Sequence, residues 1–295
     1  VRLPAPYLRS DPTGHRSGGR VTDHPPAPDT PAPGPPVRRF GPQPAGSALD
    51  DPALIEAYAV APLDHLRVNF VTSLDGAVAV AGRSAGLSGR ADKRVFGVLR
   101  MLCDALLVGA GTLRREQYRA LRLDDRRRRW RQQHGLPTHP TLVVVSASLD
   151  LDPDQPALAD APARPIVLTT TDAPADRRRR LARVAEIVPA GERTIDLTAG
   201  LSRLRARGHR QLLCEGGPML FGSLTAADLV DELCLTVSPL LAGAGAGRIS
   251  AGPASPVRQL RLGQVLAADD GTLLLRYTRP DPDPDPDHPR IMTVS

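Results

Sequence analysis

The feature that most constrains this chain is a series of short, nearly unbroken apolar runs separated by polar, helix-like stretches. Residues 66–71, 105–108, 142–145, 166–168, 211–214, 232–237 and 273–277 carry the pattern. A strand covered on one face alternates apolar with polar residues, whereas a strand covered on both faces does not. The runs therefore predict strands buried between helical layers. Val95, Leu99 and Leu102 recur at i, i+4 and i+7 and predict an amphipathic helix opening near Ser88. Fainter helical patterns follow Ala175 and surround Leu201 and Leu204. Strands alternating with helices imply an α/β three-layer sandwich whose sheet is mostly parallel. Residues 261–266 and 273–277, joined through Asp269-Asp270-Gly271, predict a terminal antiparallel hairpin, so the sheet is mixed.

Composition sets the limits of this domain. Residues 1–48 are rich in Pro and Gly without an apolar period and read as a disordered leader. Residues 280–290 alternate Pro with Asp, a pattern that supports neither helix nor ladder, and 280–295 read as a disordered tail. Residues 49–279 remain as one domain, long enough to bury a single core. No apolar run reaches the roughly 18 residues of a membrane helix, and the opening residues lack the layout of a secretory signal. A cytoplasmic protein without a membrane partner is expected. Cys103, Cys214 and Cys234 lie far apart with no Cys-x-x-Cys, which argues against a disulfide framework and against a metal site. The formal net charge is +6, and Lys93 is the single lysine among 38 basic residues. The arginine clusters at 126–129 and 177–180 are short, separate and without interleaved aromatics. They read as solvated helix faces or loops, and no nucleic-acid partner is expected.

Two glycine turns bear on chemistry. Gly109-Ala110-Gly111-Thr112 follows an apolar strand and precedes a helix-like stretch. Glycines there let a ligand approach the backbone, and a helix start offers unpaired N–H groups to an anion. A plain strand-to-helix turn is the other reading of a lone Gly-x-Gly. Glu215-Gly216-Gly217-Pro218 repeats the arrangement at the end of another apolar strand. Pro218 suits a first helical position, and Glu215 would face the crevice in which open α/β sheets collect ligands. Two such turns at strand C-termini favour a nucleotide site. Ser73-Leu74-Asp75-Gly76 reads as a turn with a structural role for Asp75, and the glycine-rich run 243–247 reads as slack loop.

Taken together, four elements appear in one order and spacing: Ser73-Leu74-Asp75-Gly76, the run 104–112 ending in Gly109-Ala110-Gly111-Thr112, Glu215-Gly216-Gly217-Pro218, and Leu229-Val230-Asp231-Glu232-Leu233. The combination resembles the reductase domain of the riboflavin pathway, a relative of dihydrofolate reductase, across residues 65–279. The resemblance implies an NADPH-dependent reductase of a ribosylaminopyrimidine phosphate that works as a homodimer on a small-molecule substrate. It implies Glu215 as the catalytic carboxylate near the transferred hydride, also touching substrate. It implies cofactor contacts at Thr72, Gly109, Gly111, Thr112, Glu116, Ser146, Gly216, Gly217, Pro218, Met219 and Leu220. Ser84, Arg100 and Arg122 would hold the substrate, with Arg122 on its phosphate, a task that suits a bidentate guanidinium. The chain departs from the pattern at Asn69, where the family commonly has Lys, and at Arg115-Glu116-Gln117-Tyr118, where it commonly has an Asp-Asp-Pro run. There is no His-x-Glu with a downstream Pro-Cys-x-x-Cys, so the sequence holds no zinc-deaminase signature. Alternatives are a dihydrofolate or dihydropterin reductase on the same fold, and a non-catalytic nucleotide- or nucleic-acid-binding protein.

Overall fold

The computed structural model describes residues 37–39 (backbone), 48–59, 64–245 and 247–280. Strand β1 (Val37–Arg39) and helix α1 (Asp51–Tyr58) precede β2 (His65–Ser73), α2 (Arg90–Leu102), β3 (Ala105–Gly109) and α3 (Ala110–Arg115). Next come α4 (Asp125–Gln133), β4 (Thr141–Val145), α5 (Pro156–Ala159), β5 (Ile166–Thr169), α6 (Ala175–Leu181) and β6 (Glu186–Pro189). The chain continues through α7 (Leu197–Arg205), β7 (Gln211–Cys214), α8 (Pro218–Ala226), β8 (Glu232–Ser238), β9 (Arg261–Ala268) and β10 (Leu273–Thr278).

The strands form one sheet in the order β1-β9-β10-β8-β2-β7-β3-β4-β5-β6. From β8 to β6 every neighbouring pair is parallel. The other three strands join antiparallel, and the β9–β10 hairpin turns at Asp269-Asp270-Gly271 as expected. The sheet is thus mixed and mostly parallel. Its apolar runs are continuous because both faces are covered. Leu213, Cys234, Leu106 and Val144 pack with Leu54 of α1 and Val95 and Leu99 of α2. Leu212, Cys214, Val68 and Val143 pack on the other face with Leu201 and Leu204 of α7 and Leu224 of α8.

Local signals explain several helix starts. Asp50, Asp124 and Asp196 each accept a backbone N–H of the first turn of α1, α4 and α7, and Pro218 opens α8. Helix α2 starts at Arg90 rather than Ser88, because the Ser88 hydroxyl bonds the Asp92 side chain and Gly89 takes the cap position. Several elements had no periodic signal. The three-residue β1 pairs with β9 from within the Pro-rich segment, and α1, β6 and α4 are short or mostly polar. Apart from residues 37–39, residue 48 and Pro280, the expected leader and tail lie outside the described residues.

The arginine clusters lie on helices. Arg127 and Arg128 pair with Asp124 and Asp125 at the start of α4, and Arg126 reaches Asp51. Arg178 of α6 bonds the carbonyls of Thr171 and Ala173. Arg131 is fully buried and donates to the carbonyls of Met101, Cys103 and Pro137 at 2.7, 2.6 and 2.5 Å. A guanidinium thus closes the C-terminal end of α2, where the last carbonyls have no partner in the helix.

Candidate active site

The site is made by unequal strand lengths. Strand β7 ends at Cys214, level with Val68, while β2 and β8 run on together to Ser73 and Ser238. At that step, on the C-terminal edge of the parallel strands, open α/β sheets collect ligands in a crevice. Leu213 belongs to the core layer beside α2, and Glu215, two residues on, points the same way.

There Glu215 meets α2. Arg100 lies in the last turn of that helix and grips both carboxylate oxygens, Nε to Oε1 at 2.6 Å and Nη2 to Oε2 at 2.7 Å. The pair is bidentate, the strongest form of this contact. The Tyr118 hydroxyl donates to Oε2 at 2.8 Å. Phe96, one turn before Arg100, lies under its guanidinium at 4.1 Å, and the Tyr118 ring lies at 5.8 Å. The Glu215 side chain is 2% exposed and that of Arg100 is 24% exposed, so the pair is sealed on one side and open on the other. Burial alone would lower the Arg100 pKa, but the facing carboxylate holds it above the usual arginine range. Burial, and then the Glu215 charge, raise Tyr118 well above an ordinary phenol, so Tyr118 serves as a neutral donor. Beside this group the Thr236 hydroxyl donates to Asp92 at 2.6 Å, and Ser88 bonds the other Asp92 oxygen. Burial keeps the Asp92 carboxyl above its ordinary range.

The two glycine turns are in contact. The N–H of Gly109 donates to the carbonyl of Gly216 at 2.8 Å. A Cβ at Gly217 would stand 2.2 Å from the Thr112 hydroxyl oxygen, so the two corners close on each other only with glycine there. Gly216, at φ +87°, lies against the Phe70 ring, where a Cβ would come within 2.8 Å. Phe70 in turn packs on Phe221 of α8 at 5.2 Å between centroids.

These corners fit the diphosphate of a dinucleotide. Nothing lies within 4 Å of a Cβ at Gly111, which leaves open space over that backbone. The first-turn N–H groups of α8, at Met219 and Leu220, have no acceptor within their own helix. Met219 is exposed and Leu220 is buried. Thr72, near the end of β2, is buried and lines a cleft of about 500 Å³ with Asp75, Gly76, Leu235, Arg248 and Ile249. Asp75 closes one side of it, accepting from the N–H groups of Ala242 and Gly243 and from the Ser73 hydroxyl. The hydroxyl and the two amides hold its carboxyl down to about 2. The structural role expected for Asp75 is therefore to pin the loop that the sequence reads as slack.

Other expected residues fall in different places. The Ser84 N–H donates to Glu116 at 3.0 Å, which joins one expected substrate contact to one expected cofactor contact. Ser146 is buried, and its hydroxyl accepts from Leu149 N–H at 3.1 Å, within its own loop. Arg122 donates to the Asp160 carbonyl at 2.8 Å and has no hydrogen bond to the Glu215 cluster. Tyr118 and Phe96 were not singled out by sequence. A departure from the family pattern was the only mark on Tyr118. Among the described residues no cluster of His, Cys, Asp and Glu is arranged to hold a metal ion, and no helix is long and apolar enough to cross a membrane.

The mixed sheet and the paired glycine corners at its C-terminal edge place the protein among α/β reductases of the dihydrofolate reductase type. More narrowly, the chain belongs to the RibD C-terminal domain family, whose model matches residues 64–274. A 2,5-diamino-6-ribosylamino-4(3H)-pyrimidinone 5′-phosphate reductase of Archaeoglobus fulgidus is 33% identical over 180 residues, 61% of this chain and 82% of that protein. The enzyme of the same name from Methanothermobacter thermautotrophicus is also 33% identical over 180 residues, covering 61% and 79%. The crystal structure of a pyrimidine reductase-like protein of Corynebacterium diphtheriae superposes with a TM-score of 0.69 at 26% identity, covering 76% of this chain and 97% of that one.

Proposed function

We propose that the protein reduces a ribosylaminopyrimidine 5′-phosphate to its ribitylamino counterpart, with NADPH as electron donor. The observation that carries this reading is the Glu215 carboxylate, clamped by Arg100 and Tyr118 at the crevice edge beside two touching glycine corners. The names of the archaeal relatives support the substrate class. Gly109, Gly111, Thr112, Gly217 and the first turn of α8 would hold the coenzyme, which when bound supplies the hydride.

The chain's own residues have three tasks. Arg100 and Tyr118 fix the Glu215 carboxylate, so the orientation of its oxygens is set before substrate arrives. Opening the ribosylamine breaks the bond from C1′ to the ring oxygen, and that oxygen takes up a proton as the exocyclic nitrogen gives one up. Reduction at C1′ then returns a proton to that nitrogen. Glu215 would accept hydrogen bonds from the sugar and the amine and so steady those transfers. Phe70 and Phe221, packed on each other, support the Gly216 corner from the α8 side.

The test is oxidation of reduced coenzyme with 2,5-diamino-6-ribosylamino-4(3H)-pyrimidinone 5′-phosphate, with the corresponding 5-aminouracil compound, and with dihydrofolate. Turnover of a ribosylaminopyrimidine with NADPH preferred over NADH is expected. Turnover of dihydrofolate alone, or of nothing, would refute the reading.

A further inference from the structure

Helix α2 presents two polar stripes. Asp92, Phe96 and Arg100 recur at i, i+4 and i+8 on the side turned to β8 and Glu215, where Asp92 meets Thr236 and Arg100 meets the carboxylate. Arg94, Gly97 and Met101 recur at i, i+3 and i+7 on another side. Each of these three positions is held from outside the helix. Arg94 forks onto one carboxylate oxygen of Asp51 in α1, with Nε at 3.0 Å and Nη2 at 2.7 Å, and Nη2 also reaches the Leu49 carbonyl at 3.0 Å. A Cβ at Gly97 would fall 2.3 Å from the Arg127 guanidinium, so α4 packs directly on that turn. The Met101 carbonyl accepts from Arg131 of α4 at 2.7 Å.

Asp51 joins these contacts. Its second oxygen takes Arg126 of α4, so one carboxylate ties α1, α2 and α4 together. Helix α2 carries Arg100, and the segment leading into α4 carries Tyr118. Those are the two groups that fix Glu215. The Asp51 side chain is 33% exposed and that of Arg94 is 17% exposed, so water competes only in part for the pair. The rest of α1 is anchored. Leu54 and Tyr58 are buried, and Arg67 and Arg276 hold the carbonyls of Tyr58 and Ala57. Asp51 also precedes residues 64–274, so this tie lies outside the stretch that the family model matches. We propose that Asp51 is a positioning residue: by tying α2 to α4 it sets the geometry in which Arg100 and Tyr118 grip Glu215. This rests on the reductase reading above. Both Asp51 oxygens are taken by arginines, so the residue acts through α2 and not on substrate.

The experiment compares wild type, Asp51→Ala and Arg126→Ala, each also in an Arg100→Lys background, with the diaminopyrimidinone substrate and reduced coenzyme. Coenzyme Kd is measured by calorimetry and the folded state by urea unfolding. Asp51→Ala should lower kcat about tenfold, with the coenzyme Kd within about twofold and the urea midpoint within about 1 M of wild type. In the Arg100→Lys enzyme the bidentate grip is already lost, so Asp51→Ala should cost under about twofold more. A purely stabilising role would cost the same in either background. Arg126→Ala removes only the exposed arm of the tie and should lower kcat about threefold, again only when Arg100 is present. Should Asp51→Ala fail to fold, Arg126→Ala decides, and a wild-type kcat in it overturns the tie. A folded Asp51→Ala with kcat within about twofold of wild type, or a tenfold loss that persists in the Arg100→Lys background, would overturn the inference and leave the reductase reading standing. If wild type turned over no ribosylaminopyrimidine, that reading itself would fall, and this inference with it.

Discussion

Strand β2 brings two positions of one sheet face beside two glutamates that have met opposite fates. Arg67 faces Glu232, and Asn69 stands level with Glu215. Glu232 opens a strand, so β8 continues past it, and α1 closes over the top. It is fully buried, with Arg67 at 2.6 Å, His65 at 3.2 Å and Arg276 at 3.5 Å. The two arginines pass on to carbonyls at the end of α1, Arg67 to Tyr58 at 2.7 Å and Arg276 to Ala57 at 2.5 Å. Glu215 instead follows the end of a strand, and its arginine remains partly open to the crevice. The same chemistry, a carboxylate gripped by guanidinium, becomes scaffold where strands run on and a site where one stops.

The largest effect should come from breaking the sealed cluster. Glu232→Gln leaves Arg67 buried without its counter-charge and should cost about 3–5 kcal/mol of stability in urea unfolding. A loss under about 1 kcal/mol would show the cluster to be dispensable. Acid should act on the same group. Burial alone would raise the Glu232 carboxyl, but His65, Arg67 and Arg276 hold it at about 2, against an ordinary 4.5. Its contribution is therefore complete above pH 4.5 and disappears as pH falls from 4.5 towards 2. Stability measured across that window should drop in wild type and stay flatter in Glu232→Gln.

At the open cluster the effects should move from stability to rate. Glu215→Gln should lower kcat by roughly 100-fold or more while coenzyme affinity stays within about threefold. Parallel losses in both would make Glu215 a coenzyme ligand or a folding residue. Tyr118→Phe removes one hydrogen bond and keeps the ring, so a loss near tenfold in kcat is expected, from about 1–1.5 kcal/mol. Unfolding curves should barely distinguish Tyr118→Phe from wild type, and a clear stability loss would erase the contrast between the two clusters.

Much of this was legible before the fold. The apolar runs placed seven of the strands, and Val95, Leu99 and Leu102 placed α2, because burial on two faces or one leaves a period in the sequence. The glycine corners were legible as well, since few residues other than glycine fit such close backbone approaches. Arg131 was not legible, because one arginine among many carries no mark of being the one that caps α2. Nor was β1, whose three residues pair through their backbone and need no apolar period.

What the residues determined alone is the layering and the two turns, because hydrophobic periodicity and backbone freedom are properties of neighbours in the chain. What only the tertiary structure decided is which charges meet. Glu215 finds Arg100 and Tyr118 across 115 and 97 residues, and Glu232 finds Arg67 across 165. Those pairings depend on where β7 stops beside strands that continue, and strand register is settled by packing between segments that no local sequence encodes.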